Sequence, residues 1–398
     1  METVLLLVAV LSLLGWLLIV GDAVTGEKYV KYIDHVAVPE AQRRRSLPRV
    51  SVVVAARDEE RNIHAAMQSL LTLEYPDLEV IAVDDRSEDR TGAILEKLAT
   101  GDERLRVEHV TELPPGWLGK NNALQLGAAR ASGELILFTD ADVVFEPSVL
   151  LRAVSCLMDE ELDHLTIGAD VHTPSLLVEL FVAAFMVSFV GYFRPWRMGD
   201  PNSSHTVGIG AFNLVRRQVY ERAGGHTPIA MRPDDDLRLA RLLREHGAKQ
   251  AFGAAGGMVG VEWYPSLGEA VRGLEKNALA GVGYRPWLLI GAAPAQLVSM
   301  CWPFVAIFAT TGATRWANLA IVLLLVGLQV ALLHGGSLRR RVALLLPAGV
   351  LLVIYAYLRA VLLTYLRGGI RWRGTFYSLQ ELRAAGTASR PTDSRDAA

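Results

Sequence analysis

Cysteine is almost absent from this sequence, with two among 398 residues. Cys156 lies in a segment of mixed polarity and Cys301 in an apolar one, so no disulfide is expected between them and the chain fits a reducing compartment. The sequence also lacks an excess of one charge, because 40 Lys and Arg residues against 42 Asp and Glu residues give a formal net charge of −2. Nothing in this balance indicates a nucleic-acid partner.

Charged residues are scarce for a soluble enzyme, at 21% of the chain against 51% hydrophobic residues. The apolar excess is concentrated at the two ends. The segment from Thr3 to Gly21 is uncharged and about as long as the ~20 residues of a bilayer-spanning helix. Glu2 stands where a signal peptide has a basic start, and no convincing small-residue cleavage site follows. We therefore expect an uncleaved transmembrane anchor over residues 1–22 rather than a signal peptide.

Basic residues behind the anchor indicate its orientation. A linker over residues 23–47 contains Lys28, Lys31 and the run Arg43–Arg45, which by the positive-inside rule direct the following domain to the cytoplasm. We therefore expect a multi-pass protein of the cell membrane whose main polar domain is cytoplasmic.

A second apolar region occupies residues 285–367. It contains three spans, Trp287–Thr310, Trp316–Leu333 and Val342–Leu366. If every span crossed the bilayer, the C-terminal tail would emerge outside, although its arginines and the run Arg339–Arg341 favour the inside. A last span that is re-entrant or interfacial, broken near Pro347 or Arg359, would satisfy both basic clusters.

Residues 48–284 have the pattern of an α/β domain. Short β-branched runs alternate with segments of helical spacing, which predicts a parallel, doubly wound sheet. The predicted strands are Val50–Ala56, Glu79–Val83, Leu105–Val110 and Leu135–Thr139. The predicted helices between them are Glu59–Leu73, Thr91–Ala99 and Lys120–Ala131. The chain ends in a tail, residues 368–398, that is expected to be disordered from about Ala384.

Acidic side chains gather where the predicted strands end. Asp58 follows the first strand, Asp84 and Asp85 end the second, and Asp140 and Asp142 follow the fourth. Ligands of such sheets bind at the carboxyl ends of the strands. Crowded carboxylates would destabilise this edge unless a cation is held there, and one or two carboxylates with substrate phosphates are typical ligands of Mg²⁺ or Mn²⁺. Each motif alone is equally typical of a turn, but the combination predicts a divalent cation bridging to a phosphate.

A resemblance to a known family rests on four segments in order: VSVVVAARDEERNI, EVIAVDDRSEDRTG, GWLGKNNALQLGAARASGELILFTDADV and PDDDLRLARLLREHG. They resemble family 2 glycosyltransferases of the GT-A fold. GAFNLVRRQVYERAGG and YPSLGEAVRGLEKN are similar to the membrane-anchored members that glycosylate lipids, such as the hopene-associated, carotenoid and ceramide glycosyltransferases. The resemblance implies a doubly wound, mostly parallel sheet, a Rossmann-like nucleotide-sugar domain, between N- and C-terminal transmembrane helices.

The resemblance also implies residues for the donor, a nucleotide sugar that we expect to be a UDP-sugar. Asp85 would contact the nucleotide base, with Ala55, Arg57 and Asp58 lining the same pocket. Lys120 would reach the donor's phosphates. A lysine at a helix start opposes the helix dipole, which a nearby anion would offset, although a solvated lysine is the plainer interpretation.

Asp140 would face the ribose or the metal, and Asp142 would bind the metal. The chain lacks the QxxRW box that processive polysaccharide synthases of the family carry. Lys276 or Arg272 would take over the pyrophosphate contact, or would simply flank the membrane. The element IRWRG (Ile370–Gly374) resembles another part of the lipid-modifying subgroup, and is equally typical of an interfacial aromatic and basic anchor.

The segment RPDDDLRLA contains three adjacent aspartates. Counting back from Leu239–Ala240, the family pattern selects Asp236 as the catalytic base and Asp235 as its supporting partner. An alternative register selects Asp234, which otherwise would face water. A helix from Asp236 to about residue 246 would keep this base ionised through its dipole. Single displacement by such a base inverts the anomeric configuration, as the family resemblance implies.

The nearly uncharged segment 176–193 and its basic, aromatic end predict an interfacial membrane helix over residues 176–197, with an ordinary core helix as the alternative. A crossing there would separate Asp142 from Asp236. Trp196, Arg197 and Gly210 are assigned to the acceptor and membrane side, and the acceptor is expected to be a membrane lipid. The rival functions are a polysaccharide synthase that translocates its product and a silent membrane scaffold or sugar-binding protein.

Overall fold

The computed structural model describes residues 1–38, 47–332 and 340–388. The basic runs at Arg43–Arg45 and Arg339, and the part of the predicted disordered tail beyond Ala388, lie outside the described residues. The chain divides into two compact units. We call Met1–Tyr29, Val171–Asp200 and Glu262–Gly368 the helical unit, and the described parts of Val30–Asp170, Pro201–Val261 and Gly369–Ala398 the sheet unit.

The α-helices are α1 (Glu2–Gly26), α2 (Ile63–Leu71), α3 (Thr91–Ala99), α4 (Gly119–Arg130), α5 (Val149–Asp159), α6 (Leu176–Phe193), α7 (Arg217–Arg222), α8 (Asp235–Glu245), α9 (Leu267–Gly281), α10 (Pro286–Gln296), α11 (Trp302–Ala309), α12 (Gly312–Leu332), α13 (Leu346–Arg367) and α14 (Leu379–Ala388). The strands are β1 (Lys31–Tyr32), β2 (Val50–Ala56), β3 (Leu78–Asp85), β4 (Leu105–Val110), β5 (Leu135–Asp140), β6 (Val143–Phe145), β7 (His164–Gly168), β8 (Asp170–His172), β9 (Asn213–Arg216), β10 (Gln250–Ala254), β11 (Val259–Glu262), β12 (Gly369–Trp372) and β13 (Thr375–Ser378).

The sheet unit is built on an eight-stranded sheet with the order β1-β10-β7-β9-β5-β2-β3-β4. Strand β9 runs antiparallel to its neighbours β5 and β7, and the other pairings are parallel. The predicted α/β fold with a mostly parallel sheet is therefore confirmed, and the antiparallel strand β9 makes the sheet a mixed one. The chain proceeds from β2 outward to β4 and returns to β5 on the other side of β2. The crevice between β2 and β5 is thus a topological switch point, where sheets of this type bind ligands.

Strand β2 reads VSVVVAA and is almost wholly buried. Because side chains alternate across a strand, Val52 and Val54 pack with α2 and α5 on one face, while Val53 packs with α4 and α8 on the other. Burial on both faces favours the β-branched runs that the sequence shows here. Helices on both faces give a three-layer α/β/α unit with the strand ends exposed at its edges.

The predicted elements agree closely with the observed ones, and the largest difference is informative. The first predicted helix, from Glu59 to Leu73, begins only at Ile63. The backbone N–H groups of Glu59 and Glu60 instead donate to the side chains of Thr91 (2.8 Å) and Asp89 (3.0 Å), which hold residues 57–62 as a loop. At the other end of the chain, α14 continues to Ala388, past the predicted start of disorder at Ala384.

The helical unit contains five segments long and apolar enough to cross a membrane: Glu2–Tyr29, Leu176–Arg197, Pro286–Ala309, Gly312–Leu332 and Val342–Arg367. The span Val342–Arg367 changes from a 3-10 helix, Arg340–Leu345, to α13 at Leu346, one residue before Pro347, whereas α13 is continuous through Arg359. An interruption is therefore found near Pro347 and not at Arg359. Arg359 pairs with Glu275 of α9. Half of the apolar window of α6 is buried. Its interfacial placement stays a prediction, since length and composition alone also allow a crossing.

Helix α6 packs closely on α13 within the helical unit. A Cβ at Gly349 would lie 2.2 Å from the carbonyl oxygen of Leu180, so only glycine permits this approach. Small residues at helix crossings are typical of membrane bundles. The end of α6 is joined to α1 by polar contacts: Trp196 donates its indole N–H to Asp22 (2.7 Å), and Arg197 binds the same carboxylate at 2.6 Å.

A buried carboxylate links the strands β2 and β3 to the loop before β5. Glu79 accepts hydrogen bonds from the hydroxyls of Ser51 (2.5 Å) and Ser132 (2.7 Å) and from the Ser132 N–H (2.6 Å), and it pairs with Arg49 at 3.2 Å. Burial alone would raise the pKa of Glu79, but these hydrogen bonds and the charge of Arg49 hold the pKa at about 2. The network is satisfied only in the ionised state.

We expect Glu79→Gln to lower the free energy of unfolding by about 2 kcal/mol, because hydrogen bonds to a charged group are lost. The pKa is about 2 in the fold and near ~4.3 in an unfolded chain, so the contribution is present above that higher value. It is lost as the pH falls toward the folded pKa. Thermal denaturation of the full chain in detergent from pH 3 to 8 measures this, with the exposed Glu103→Gln as control. An equal effect of both variants, or one independent of pH, would contradict the assignment.

Candidate active site

Five of the residues predicted for the site line one pocket in the sheet unit. It lies where β5 ends and the helices α4 and α8 begin, and its predicted members are Lys120, Asp140, Gly210, Asp235 and Asp236. The buried His226 and the apolar Leu124, Phe138 and Leu239 complete the wall. Elements far apart in the sequence thus bring four charged side chains into one cleft.

Lys120 is the central cation of this pocket. Its ammonium lies 2.8 Å from a carboxylate oxygen of Asp140 and 3.2 Å from one of Asp235. Burial alone would lower the pKa of Lys120, but the attraction of Asp140, Asp235 and Asp236 outweighs it and raises the pKa well above its ordinary value. The lysine therefore stays charged, and its position at the first turn of α4 is compensated by anions from β5 and α8. The expected anion at this helix start is thus supplied by the protein itself.

Asp236 lies in the first turn of α8 and lines the pocket. Its Oδ2 accepts the N–H of Gly210 (2.9 Å), and its Oδ1 accepts the N–H of Leu237 (2.8 Å). Burial and repulsion from Asp235 nevertheless raise the pKa of Asp236 to about 7, against the attraction of Lys120. At neutral pH this carboxylate is therefore only partly ionised, in contrast to the expectation that the start of the helix would hold it ionised.

The three adjacent aspartates have different surroundings. Asp234 caps α8 and is buried, with its carboxylate held by Arg232 (2.9 Å) and Arg238 (2.9 Å). The expectation that Asp234 faces water is wrong. Asp235 binds Lys120, and both carboxylate oxygens of Asp236 accept backbone N–H groups. Both oxygens of Asp234 are taken by arginines, which argues against the alternative register.

Glycine is required beside Asp140. A Cβ at Gly210 would lie 2.4 Å from Asp140 Oδ2, and the N–H of Asp140 donates to the Gly210 carbonyl (3.1 Å). Gly210 therefore holds both Asp140, through its carbonyl, and Asp236, through its N–H. The sequence assigned Gly210 to the acceptor side, and the structure brings it between the two carboxylates.

Asp142 is the most strongly perturbed acid outside the Lys120 cluster. Burial, together with repulsion from Asp140 and Glu59, raises the pKa of Asp142 to about 7. Such a shift marks a place where negative charge is in excess and a cation would be favourable. Across residues 1–38, 47–332 and 340–388, no three His, Cys, Asp or Glu side chains form a complete metal site. Asp140 and Asp142 are the two carboxylates that the sequence predicts as cation ligands at this edge, and that role stays a prediction.

A second group of predicted residues follows β2 and β3. Asp85 is buried and receives two hydrogen bonds from Arg86 (2.8 and 3.0 Å), with Arg57 at 3.9 Å. Asp58 and Arg86 have positive φ values of 54° and 58°. Left-handed backbone in non-glycine residues is strained and concentrates at functional sites. Ala55 pairs in register with Asp140 on the neighbouring strand, so the two groups are contiguous across the switch point.

The remaining predicted residues lie in the helical unit. Lys276 is on α9, and Trp196 and Arg197 follow α6, where they bind Asp22. The roles assigned to these three residues stay predictions.

Sequence reasoning missed the residues that hold the pocket together. Asn121, next to Lys120, is buried and its amide donates to the carbonyls of Ile229 (2.7 Å), Ala230 (3.1 Å) and Arg232 (3.0 Å). It thereby ties the start of α4 to the loop that leads into the aspartates. The segment GKNNAL contained the signal, since a buried amide beside a charged residue needs polar partners.

Comparison with known proteins agrees with the class that the motifs indicated. Residues 51–224 match the family described as Glycosyl transferase family 2. This match covers somewhat less than half of the chain, and it supports the predicted transferase class for these residues. The matched residues include β2 to α7 but end before the aspartates of α8.

Three individual proteins share between 18% and 30% sequence identity with this chain over the aligned residues. The chain is 27% identical over 202 residues to a probable glycosyltransferase, YdaM, of Bacillus subtilis, covering 50% of this chain and 47% of that protein. It is 30% identical over 194 residues to the beta-monoglucosyldiacylglycerol synthase of Trichormus variabilis, covering 48% and 41%. The chain thus spans less than half the length of these curated relatives. A solved mannosyltransferase of Pyrobaculum calidifontis, PcManGT, has the same fold, with a TM-score of 0.54, 18% identity and coverage of 89% and 99%.

We expect Lys120→Met to lower the free energy of unfolding by about 3 kcal/mol at pH 8, because buried carboxylates lose their cation. Uncompensated acids bind protons more readily in the fold than in the unfolded chain, so the loss should shrink as the pH falls toward 5. Thermal denaturation of the full chain in detergent at both pH values measures it, beside the exposed Lys97→Met. A loss that stays constant with pH would contradict the central role of Lys120.

Proposed function

We propose that this protein transfers a sugar from a nucleotide-sugar donor to a hydroxyl of a membrane lipid, with inversion, at the cytoplasmic face of the cell membrane. The observation that carries this proposal is the position of Asp236, a carboxylate with a pKa near neutrality, in the same pocket as the Lys120–Asp140 pair at the ligand-binding edge of a family 2 domain.

The donor side is the group around β2, β3 and β5. Transfer requires the developing charge of the leaving diphosphate to be stabilised, and Lys120 is the cation nearest to Asp140. In the alternative interpretation, Lys120 only holds the neighbouring carboxylates in place and does not contact the donor. The solved mannosyltransferase is in complex with GDP-Man and Mn²⁺, which supports a nucleotide sugar and a divalent cation in general terms. The donor proposed for this chain is a UDP-sugar.

The carboxylates fit a divalent cation. Asp140 and Asp142 offer oxygen ligands, and the raised pKa of Asp142 reflects a charge that a cation would neutralise. Mg²⁺ or Mn²⁺ is commonly held by one or two carboxylates plus substrate phosphates. When bound, such an ion acts as a Lewis acid on the leaving diphosphate. The protein's own part is to aim Asp142 and to keep Asp140 ordered through Lys120 and Gly210.

Asp236 is the proposed general base. A base is most effective when its pKa lies near the working pH, since a substantial fraction is then ionised and is still basic enough to take the acceptor proton. Burial and the neighbouring Asp235 supply this pKa, and the N–H groups of Gly210 and Leu237 fix the carboxylate. Asp235 supports the base by holding Lys120.

The acceptor is proposed to be a lipid. Among the residues that the structure describes, five helices have the length and hydropathy of membrane spans. The relative from Trichormus variabilis is a beta-monoglucosyldiacylglycerol synthase, whose product is a glycolipid. A domain attached to such helices would meet its acceptor at the membrane surface.

We expect Asp236→Asn to lower kcat by about 10²- to 10⁴-fold while leaving the melting temperature within a few degrees, because the variant removes the base and keeps its shape. Asp234→Asn should instead lower the melting temperature, since Arg232 would remain buried without its full partner. Transfer assays and thermal denaturation on both variants give the comparison. Loss of turnover with unchanged stability in Asp234→Asn alone would assign the base to the other register.

We expect Asp142→Asn to abolish transfer without unfolding the protein. Treatment with a chelator should do the same to the wild type, and added Mg²⁺ or Mn²⁺ should restore activity only to the wild type. Unchanged turnover of Asp142→Asn in membranes would overturn the metal assignment.

Incubation with labelled nucleotide sugars and total membrane lipid tests the acceptor. The proposal predicts label in a product that organic solvent extracts and that Asp236→Asn does not form. Label in a water-soluble or insoluble polymer would indicate a polysaccharide synthase instead. Absence of any transfer with the wild type would favour the silent scaffold.

A further inference from the structure

The hairpin formed by β12 and β13, residues 369–378, contacts the sheet unit far from its place in the chain. Its strands pair antiparallel from Gly369↔Ser378 to Trp372↔Thr375. The turn consists of Arg373 and Gly374, with φ values of 48° and 79°. Two positive φ values are typical of a two-residue hairpin turn, which favours Asn or Gly at the first position. An arginine there is strained, and its side chain explains why it is tolerated.

The Arg373 guanidinium binds the loop that follows β2. It donates to the carbonyl oxygen of Arg57 and to the Glu59 carboxylate, and lies 3.5 Å from the carbonyl of Asp58. An ion pair of this exposure contributes little to global stability. Its effect is local: it fixes the backbone of residues 57–59 and compensates the Glu59 charge that repels Asp142.

The second anchor of the hairpin is Tyr377, which is 7% exposed. Burial raises the pKa of Tyr377, while Thr375, the backbone of Gly119 at the start of α4 and the charge of Arg86 lower it and the charge of Asp85 raises it. Gly119 itself approaches Asp85 and Arg86 so closely that a Cβ would lie 2.1 Å from the Asp85 carboxylate. The phenol of the hairpin therefore interacts electrostatically with both the end of β3 and the start of α4.

The hairpin thus joins three elements: the loop after β2, the end of β3 and the N-terminus of α4. These elements surround the part of the site assigned to the nucleoside and its phosphates. We propose that residues 369–378 form a strap that holds the binding pocket for the nucleoside diphosphate portion of the donor in its competent shape, with Arg373 and Tyr377 as positioning residues. The inference rests on the proposed function.

Binding of UDP and GDP to the full chain in detergent, measured by calorimetry, tests the strap. With the nucleotide that binds the wild type more tightly, Arg373→Ala should raise Kd about tenfold, since charge-assisted hydrogen bonds to the loop are lost. Arg373→Lys should recover part of this. Tyr377→Phe should raise Kd about threefold through loss of the polar interaction of the phenol with the start of α4. Arg371→Ala, which removes the same charge from an exposed site of the same hairpin, should stay within twofold.

Two further readouts separate positioning from a merely structural role. In transfer assays, Arg373→Ala should raise the KM of the donor and leave kcat at saturating donor within about threefold, with the KM of the acceptor unchanged. In the wild type, the nucleotide should slow amide exchange at residues 369–378. Wild-type binding with unchanged Kd in Arg373→Ala and Tyr377→Phe, or with unchanged exchange in the hairpin, would overturn the strap alone. A wild type that neither binds UDP or GDP nor transfers sugar would overturn the proposed function as well.

Discussion

The geometry of the site depends on one ammonium group between two carboxylates. Lys120 begins α4, Asp140 ends β5 and Asp235 begins α8, so a single cation fixes the relative position of three elements. Without a cation, acids crowded at this edge of the sheet would repel one another. Lys120 therefore acts as a structural counter-ion and lines the pocket at the same time, and the raised pKa guarantees that it remains charged at any physiological pH.

The distribution of charge around this lysine divides the acids of the sheet edge into two sets. Asp85, Asp140, Asp234, Asp235 and Glu59 each have a basic partner. Within the described part of the chain, no ion pair is found for Asp142 or Asp236, and these are the acids whose pKa values rise to about 7. Uncompensated charge thus remains where a cation and a proton would be received. This asymmetry arises because the arginines and Lys120 form their ion pairs with the other acids.

Much of the fold was predictable because its signals are local. The bounds of β2, β4, α3 and α6 follow from runs of apolar or helical spacing that one element contains entirely. The position of Asp140 at the ligand-binding edge was also predictable, since strand ends in a parallel sheet share an edge. Lys120 and Asp236 begin helices, and the family resemblance alone assigned them to the same site. The surroundings of each acidic side chain were not predictable in this way. Whether Asp234 is buried or Asp236 is desolvated depends on Arg232, Gly210 and the packing of α8, which no spacing rule encodes.

The hairpin of β12 and β13 shows the same limit of prediction from sequence. The segment Ile370–Gly374 is equally typical of a membrane anchor and of a site element, because aromatic and basic residues suit both. The contacts of Arg373 and Tyr377 favour the site, through hydrogen bonds that connect positions more than 250 residues apart in sequence. The hairpin directly follows α13, one of the five apolar helices. The segment proposed to support the donor pocket is therefore joined directly, through Arg367 and Gly368, to a helix with the length and hydropathy of a membrane span.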